Sequence, residues 1–307
     1  MSKLNIVMYH YVRPKEKTLD LKINYLELRK FRNQIDFLKN KFNIISGEEL
    51  IYCCKFKIPL PNKSCLLTFD DGYKDHIQYV LPELIKRNIK ACFFISSAAI
   101  LKKDILDVNA IQFIIAKCLD QNLLINELDF LCAKFGIKNV NFKYFLTKNT
   151  LKDRFDDKKI TYIKSLLQYF LPINIRKKII NIMYKKYVKI NKKQLHKNLY
   201  LNMTDIKTLL NNKMYIGSHG HDHLWLNYLK KEEQEKDIDL SLNFLKKIGS
   251  PTNNWIMSYP YGAYNKTTIS ILKKKKCIIG ITAKPRIADL NNNLLQLSRF
   301  DTKDFVN

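Results

Sequence analysis

No stretch of this chain is apolar for long enough to cross a bilayer. The purely apolar runs, such as residues 91–95 and 277–281, fall far short of the roughly 20 residues that a spanning helix needs. The first residues, MSKLNIVMYHYV, lack the basic segment, apolar segment and small-residue cleavage site of a secretory signal. The expected compartment is therefore the cytoplasm, with the inner face of the membrane as its boundary. Cysteine is sparse and unpaired in pattern: seven residues, at 53, 54, 65, 92, 118, 132 and 277, give no paired CxxC spacing. Neither a zinc ribbon nor a disulfide framework is expected on that count, and buried reduced thiols are. Acidic residues are few, 28 against 54 Lys and Arg, so the formal net charge is +26.

Such a charge ordinarily points to nucleic acid or to an anionic membrane surface. Here Lys dominates over Arg, Asn and Ile are also abundant, and Lys is spread along the whole chain. This distribution fits compositional drift better than a dedicated nucleic-acid face. The run Lys273, Lys274, Lys275, Lys276 reads as a solvated helix end, where cations suit the helix dipole. Contact with anionic lipid is left open by the same composition. With 46% apolar residues in 307, a real core in one large domain or two smaller ones is expected.

Hydrophobic periodicity then divides the chain. Residues 4–10, LNIVMYH, read as a buried strand ending in His10, and residues 25–40 as an amphipathic helix on Leu28, Phe31, Ile35 and Leu38. FNIIS is read as a short strand, 47–54 as a short helix, 64–69 as a strand, 76–87 as a helix and KACFFIS as the next strand. Alternation of this kind argues for a parallel α/β sheet or barrel. From about 101 to 200 it gives way to helical periods with almost no glycine and a Lys-rich stretch at 176–197. That segment is expected to be a helical insertion. The alternation resumes with a helix capped by Thr204, strand MYIGS, helix 231–247, strand NWIMS, helix 265–275, strand CIIGIT and a last strand near 294–297.

Three stretches carry chemistry, all at predicted strand ends. SCLLTFDDGYKDH places Asp70 and Asp71 at the mouth of a buried strand. Asp-Gly can be mere turn chemistry, or one carboxylate can hold a cation while its neighbour moves a proton. YIGSHGHDHLWL sets His219 and His223 four apart with His221 between them. Imidazoles at that spacing suit zinc or another first-row divalent metal, but a solvated polar turn would give the same pattern. WIMSYPYGAYN ends a strand at Pro260-Tyr261-Gly262, where a fixed backbone N–H could face a developing oxyanion. In α/β barrels the C-terminal strand ends form one face, and that face holds the site.

In this order, TFDDG, SHGHDH and YPYG resemble the first three motifs of the polysaccharide deacetylases, the NodB-homology family also called carbohydrate esterase family four. The resemblance covers residues 4–100 and 201–301. It implies a distorted (β/α) barrel formed by 1–100 and 201–307, with 101–200 as the helical insertion. It also implies removal of an N-acetyl group from a sugar unit of a surface glycan or its precursor, with a divalent metal, zinc first among them. Asp71, His219 and His223 are then the metal ligands, Asp70 the general base, and the Tyr261 backbone N–H the oxyanion donor. His221 matches no ligand position and is expected at the periphery or surface of the site.

Two departures stand out. The arginine that usually precedes the third motif's Pro by two residues, and steadies the catalytic Asp, is replaced by Ser258, and no histidine follows His223 to serve as general acid. VMYH, ending the first strand in His10, offers a circularly permuted substitute, because first and last strands are neighbours in a closed barrel. His10 is accordingly expected to be the acid. The alternatives are a sugar O-deacetylase or related amidase, and a catalytically decayed carbohydrate-binding barrel. The expected partner is an acetylated carbohydrate rather than nucleic acid, with the Lys-rich insert touching the membrane or the substrate's phosphates. The sequence assigns no oligomeric state.

Overall fold

The computed structural model describes residues 3–15, 23–138, 140–143 and 156–304; parts of the expected insertion, at 139 and 144–155, lie outside them. The chain separates into two compact units: Met1–Lys17, Asn24–Asp104 and Lys193–Asn307 in one, Thr18–Ile23 and Ile105–Lys192 in the other.

The first unit is a distorted (β/α) barrel. Its strands are β1 (Lys3–Tyr9), β2 (Val12–Arg13), β3 (Leu26–Glu27), β4 (Asn43–Ile44), β5 (Ser64–Asp70), β6 (Cys92–Ile95), β7 (Tyr215–Ser218), β8 (Trp255–Ser258), β9 (Cys277–Ile281), β10 (Ala288–Asp289) and β11 (Phe300–Asp301). Among the described residues the main sheet runs β10-β1-β5-β6-β7-β8-β9, parallel from β1 to β9, with β11 also on β1 and β4 on β5. All seven residues of β5 are buried, as expected of a parallel strand covered on both faces. Leu297 exchanges hydrogen bonds with Gly280 and Thr282 beside β9, and Phe300 and Asp301 pair with Val7 and Met8 of β1. The segment 297–301 thereby links the two edges of the curl.

Helices α1 (Leu28–Lys41), α2 (Gly47–Phe56), α3 (Leu81–Lys86) and α4 (Ser97–Leu101) lie in this unit's first half. In α1 the buried Phe31, Gln34, Ile35 and Leu38 form one stripe. Residues Leu50 and Cys53 of α2 join Leu66, Cys92, Tyr215 and Ile279 in the core beneath the strands. The second unit holds α5 (Asp107–Lys117), α6 (Gln121–Lys134), α7 (Lys158–Ser165) and α8 (Ile173–Met183). Its core is built from Phe113, Ile114, Leu124, Leu128, Ile163, Leu167 and Ile180. After it come α9 (Lys192–Leu199), α10 (Met203–Asn211), α11 (Lys231–Ile248) and α12 (Lys266–Lys274).

Several boundaries differ from the sequence expectation, each for a local reason. Residues Leu26–Glu27 pair with β2, so α1 begins at Leu28. The FNIIS strand shrinks to Asn43–Ile44 because the Ser46 side chain accepts from Glu49 N and starts α2. The cap of α10 is Asn202, not Thr204: Asn202 and Asp205 form a reciprocal capping box. The expected strand at 294–297 is a 3₁₀ turn, Leu294–Gln296, held by the Asn293 side chain accepting from Leu295 N. The strand falls instead at Phe300–Asp301.

Candidate active site

Strand β5 ends in Asp70, and Asp71 and Gly72 follow with φ of 72° and 70°. Two successive left-handed residues turn the chain sharply away while both carboxyls stay at the strand mouth; Gly takes this conformation freely, and Asp tolerates it. His223 (φ 54°) and Tyr261 (φ 57°) adopt the same region. Left-handed non-glycine backbone costs energy and persists where the surroundings over-determine it, which is common at functional sites.

Strand β7 delivers His219. Its Nε2 lies 3.4 Å from Asp71 Oδ1, and His223 Nε2 lies 3.2 Å from the same oxygen. The donor atoms of Asp71, His219 and His223 all lie within 4.8 Å of one another, and all three residues are buried. His219 Nδ1 sits 2.8 Å from the Ser258 carbonyl. A carbonyl only accepts, so Nδ1 carries the proton and Nε2 presents its lone pair to the cluster. Burial pushes the His219 imidazole down to about 4, which leaves it neutral and competent as a ligand near neutral pH. Burial opposes charge on Asp71, but the neighbouring His223 and His219 outweigh it and hold the carboxyl below its ordinary range. Asp71 Oδ1 is buried and has no hydrogen-bond partner among the described residues. An orphaned carboxylate oxygen facing two imidazole nitrogens fits a divalent cation.

Asp70 sits beside this trio with different company. Arg299 donates from Nη1 to Oδ1 at 3.0 Å and from Nη2 to Oδ2 at 2.5 Å, both residues being buried. The guanidinium is itself fixed by Nε on the Thr282 carbonyl at 3.0 Å. Burial would raise the Asp70 carboxyl, yet Arg299 and then His219 hold it below its ordinary range. Sequence reasoning missed Arg299. The family's usual place for this arginine, two residues before Pro260, holds Ser258, whose Oγ reaches Asp70 only at 3.4 Å. The signal that could have found it is the lone basic residue in LQLSRFD, between apolar residues in the segment that closes the sheet.

His10 follows β1, whose Tyr9 pairs in register with Phe69, so His10 emerges beside Asp70. It is half-buried, and its charge acts on both Asp70 and Asp71. Tyr261 lies in the turn after β8, with its ring edge-on to His223 at 4.6 Å and stacked on Trp225 at 4.6 Å. The structure therefore brings Asp70, Asp71, His219, His223, His10 and Tyr261 to one end of one unit. His221 is not at the surface: it is buried, and its Nδ1 lies 2.7 Å from Ser97 Oγ. The Asp237 carboxylate accepts from His221 N at 2.8 Å and Asp222 N at 2.9 Å, which ties the histidine loop to α11.

A family model described as polysaccharide deacetylase matches residues 57–122 and 155–277, more than half of the chain. His10 and Arg299 fall outside the matched segments. The Bacillus subtilis (strain 168) protein YxkH, whose name assigns it to the polysaccharide deacetylases, is 29% identical over 104 residues, 34% of this chain and 37% of that protein. The chain thus matches little more than a third of that relative's length. Among solved structures, the Streptococcus pyogenes deacetylase PplD, in complex with acetate, superposes with a TM-score of 0.58 at 18% identity, covering 97% of this chain and 92% of that one. IcaB from Ammonifex degensii gives 0.58 at 17% over 98% and 92%. A de-N-acetylase from Aggregatibacter actinomycetemcomitans gives 0.57 at 16% over 97% and 94%. At such identities the likeness is one of fold.

Proposed function

The chain belongs to the polysaccharide deacetylase family, and on that premise we propose that it hydrolyses the N-acetyl group of a sugar unit in a surface glycan or its precursor. The observation that carries this reading is the gathering of two differently supported carboxylates and three imidazoles at one mouth of the barrel. Asp71, His219 and His223 would hold a divalent metal, zinc first among the candidates. A cation there supplies Lewis acidity to the acetyl carbonyl. Asp70, kept ionised by Arg299, accepts the proton of the attacking water. His10 gives a proton to the departing amine as the carbon–nitrogen bond breaks, and the backbone N–H of Tyr261 faces the developing oxyanion. Trp225, Tyr228 and Tyr261 form adjoining rings next to His223, a surface suited to the apolar face of a sugar.

The reading of a decayed barrel rested on Ser258 and on the absent C-terminal histidine; Arg299, which pairs with Asp70, answers the first of these, and His10 as acid would answer the second. We place the protein in the cytoplasm, at the inner face of the membrane. The seven unpaired cysteines support a reducing compartment, and the +26 charge suits anionic lipid or a phosphate-bearing substrate. The test is acetate release by purified protein, with divalent metals, from a panel of N-acetylated and O-acetylated sugars, nucleotide sugars and glycan oligomers. Release from an N-acetyl substrate that chelator abolishes and metal restores is the expected result. Release from O-acetyl substrates alone, or none from any, overturns it.

A further inference from the structure

If His10 is the acid, something must aim it, because β1 ends at Tyr9 and His10 lies beyond the ladder that orders the strand. The chain that follows Asp70 and Asp71 does the aiming. His76 Nε2 lies 3.0 Å from the His10 carbonyl, and a carbonyl only accepts, so that nitrogen carries the proton. Asp75 Oδ2 accepts from Val12 N at 3.2 Å and from Arg13 Nε at 2.9 Å, with Arg13 and Asp75 both buried. Tyr11 stacks on Tyr73 at 3.8 Å between centroids. Three residues of YKDH, immediately after DDG, thus each engage the segment 10–13.

His76 itself has no room to move. It is fully buried, with Phe69, Tyr73 and Phe93 around it at 5.6, 5.9 and 5.6 Å between centroids. Among the described residues its Nδ1 has no hydrogen-bond partner, so the one hydrogen bond its ring makes there is the one to the His10 carbonyl. Burial pushes its imidazole down to about 4, which keeps it a neutral, single-proton donor while His10 works. We infer that His76 and Asp75 are positioning residues for His10: one turn, residues 70–76, carries the base and a metal ligand and also grips the acid's backbone, so that acid and base keep a fixed separation. This rests on the reading of His10 as general acid.

The geometry separates this role from mere stability, because only some leaving groups need a proton. An amine leaves an N-acetyl sugar only when protonated, whereas the phenolate of 4-nitrophenyl acetate leaves without help. His76→Phe keeps ring volume and deletes the donor; His76→Gln can restore an N–H. We expect His76→Phe to lower kcat on the N-acetyl sugar by about 10- to 100-fold at unchanged KM, since a misplacement of about 1 Å can cost 100-fold. The loss on 4-nitrophenyl acetate should be at least tenfold smaller, and His76→Gln should recover much of the difference. Asp75→Asn, which keeps an acceptor for Val12 N but takes the charge from the buried Arg13 pair and so loosens the grip on 10–13, should show a smaller selective loss of the same kind and serves where His76→Phe does not fold. Equal losses on both substrates, or no loss, in variants of His76 and Asp75 would overturn the inference while a selective loss in His10→Ala stands. No selective loss in His10→Ala would overturn the reading of His10 and this inference with it.

Discussion

Asp70 is a buried carboxylate whose charge depends on one guanidinium, and this dependence sets what each single replacement does. With Arg299 in place, the pair is bidentate and the arginine is anchored on Thr282 and Thr68 as well. Removing one member of a buried ion pair leaves the other charge without compensation and typically costs about 3–5 kcal/mol. Arg299→Met should therefore lower the unfolding free energy read from urea titration by that order and also abolish deacetylation, because Asp70 would then take up a proton. The double variant Arg299→Met/Asp70→Asn should regain part of the lost stability and none of the activity. A strictly additive loss in that double-mutant cycle would show that the two side chains do not act as a pair. Asp71, one residue along, meets the opposite company, two imidazoles and no arginine. That contrast is why adjacent identical residues can carry different roles.

The element that matters most is the loop after β7, which holds two ligand candidates and has little regular structure of its own. Its carbonyls cap α4, with Ser97 N on the Gly220 oxygen at 3.2 Å and Ala98 N on the His221 oxygen at 3.0 Å. Its amides rest on Asp237 of α11. Gly220 has φ of 70°, and a Cβ there would come within 2.8 Å of Asp237 Oδ2. Outer contacts of this kind tune metal affinity by about 10- to 100-fold. Asp237→Ala and Gly220→Ala should each weaken zinc binding within that range, read by competition with a chromophoric chelator, while far-ultraviolet dichroism stays native. Unaltered affinity would mean that the loop is held by its ligands alone. Much of this was legible in the sequence, because β5, β7 and β8 are short apolar runs that end in polar motifs, and periodicity plus turn residues reveal such runs. Three things were not. Arg299 meets Asp70 across 229 positions through a sheet closure that no local period encodes. Asn202 and Thr204 are both good caps, and only the reciprocal bond to Asp205 selects the first. The last strand hides because its pairing with β1 is two residues long, whereas the apolar LLQL before it satisfies a 3₁₀ turn.

For the molecule as a whole, the same buried groups make stability a function of metal and of pH. A divalent metal held by Asp71, His219 and His223 would bind only their folded arrangement, so added zinc should raise the melting temperature in proportion to the logarithm of its concentration. Asp71→Asn should erase most of that shift. In the chelated protein two buried imidazoles contribute a pH response of definite sign; His221, also held down by burial, adds to it, and the Asp75, Asp129 and Asp237 carboxyls, raised by burial, act against it. His76 and His219 are each held down to about 4 by burial, against about 6.5 for an unfolded histidine. Between those values the unfolded chain binds protons that the folded chain refuses, so stability rises with pH across the window. The contribution is present in full above about pH 6.5 and is lost as pH falls through the window toward 4, at up to about 1.4 kcal/mol per pH unit for each histidine. Carboxyls held below their ordinary range, Asp70 and Asp71, add a loss of the same sign at still lower pH. Urea unfolding of chelated protein should therefore show a clear fall in stability between pH 7 and pH 5. In His76→Phe one proton is removed from the balance, so its slope over that interval should be shallower by one histidine's share. A slope in His76→Phe equal to that of the wild type from pH 7 to pH 5 would mean that this imidazole is not buried neutral in the folded protein, and the placement of its ring would fall with it.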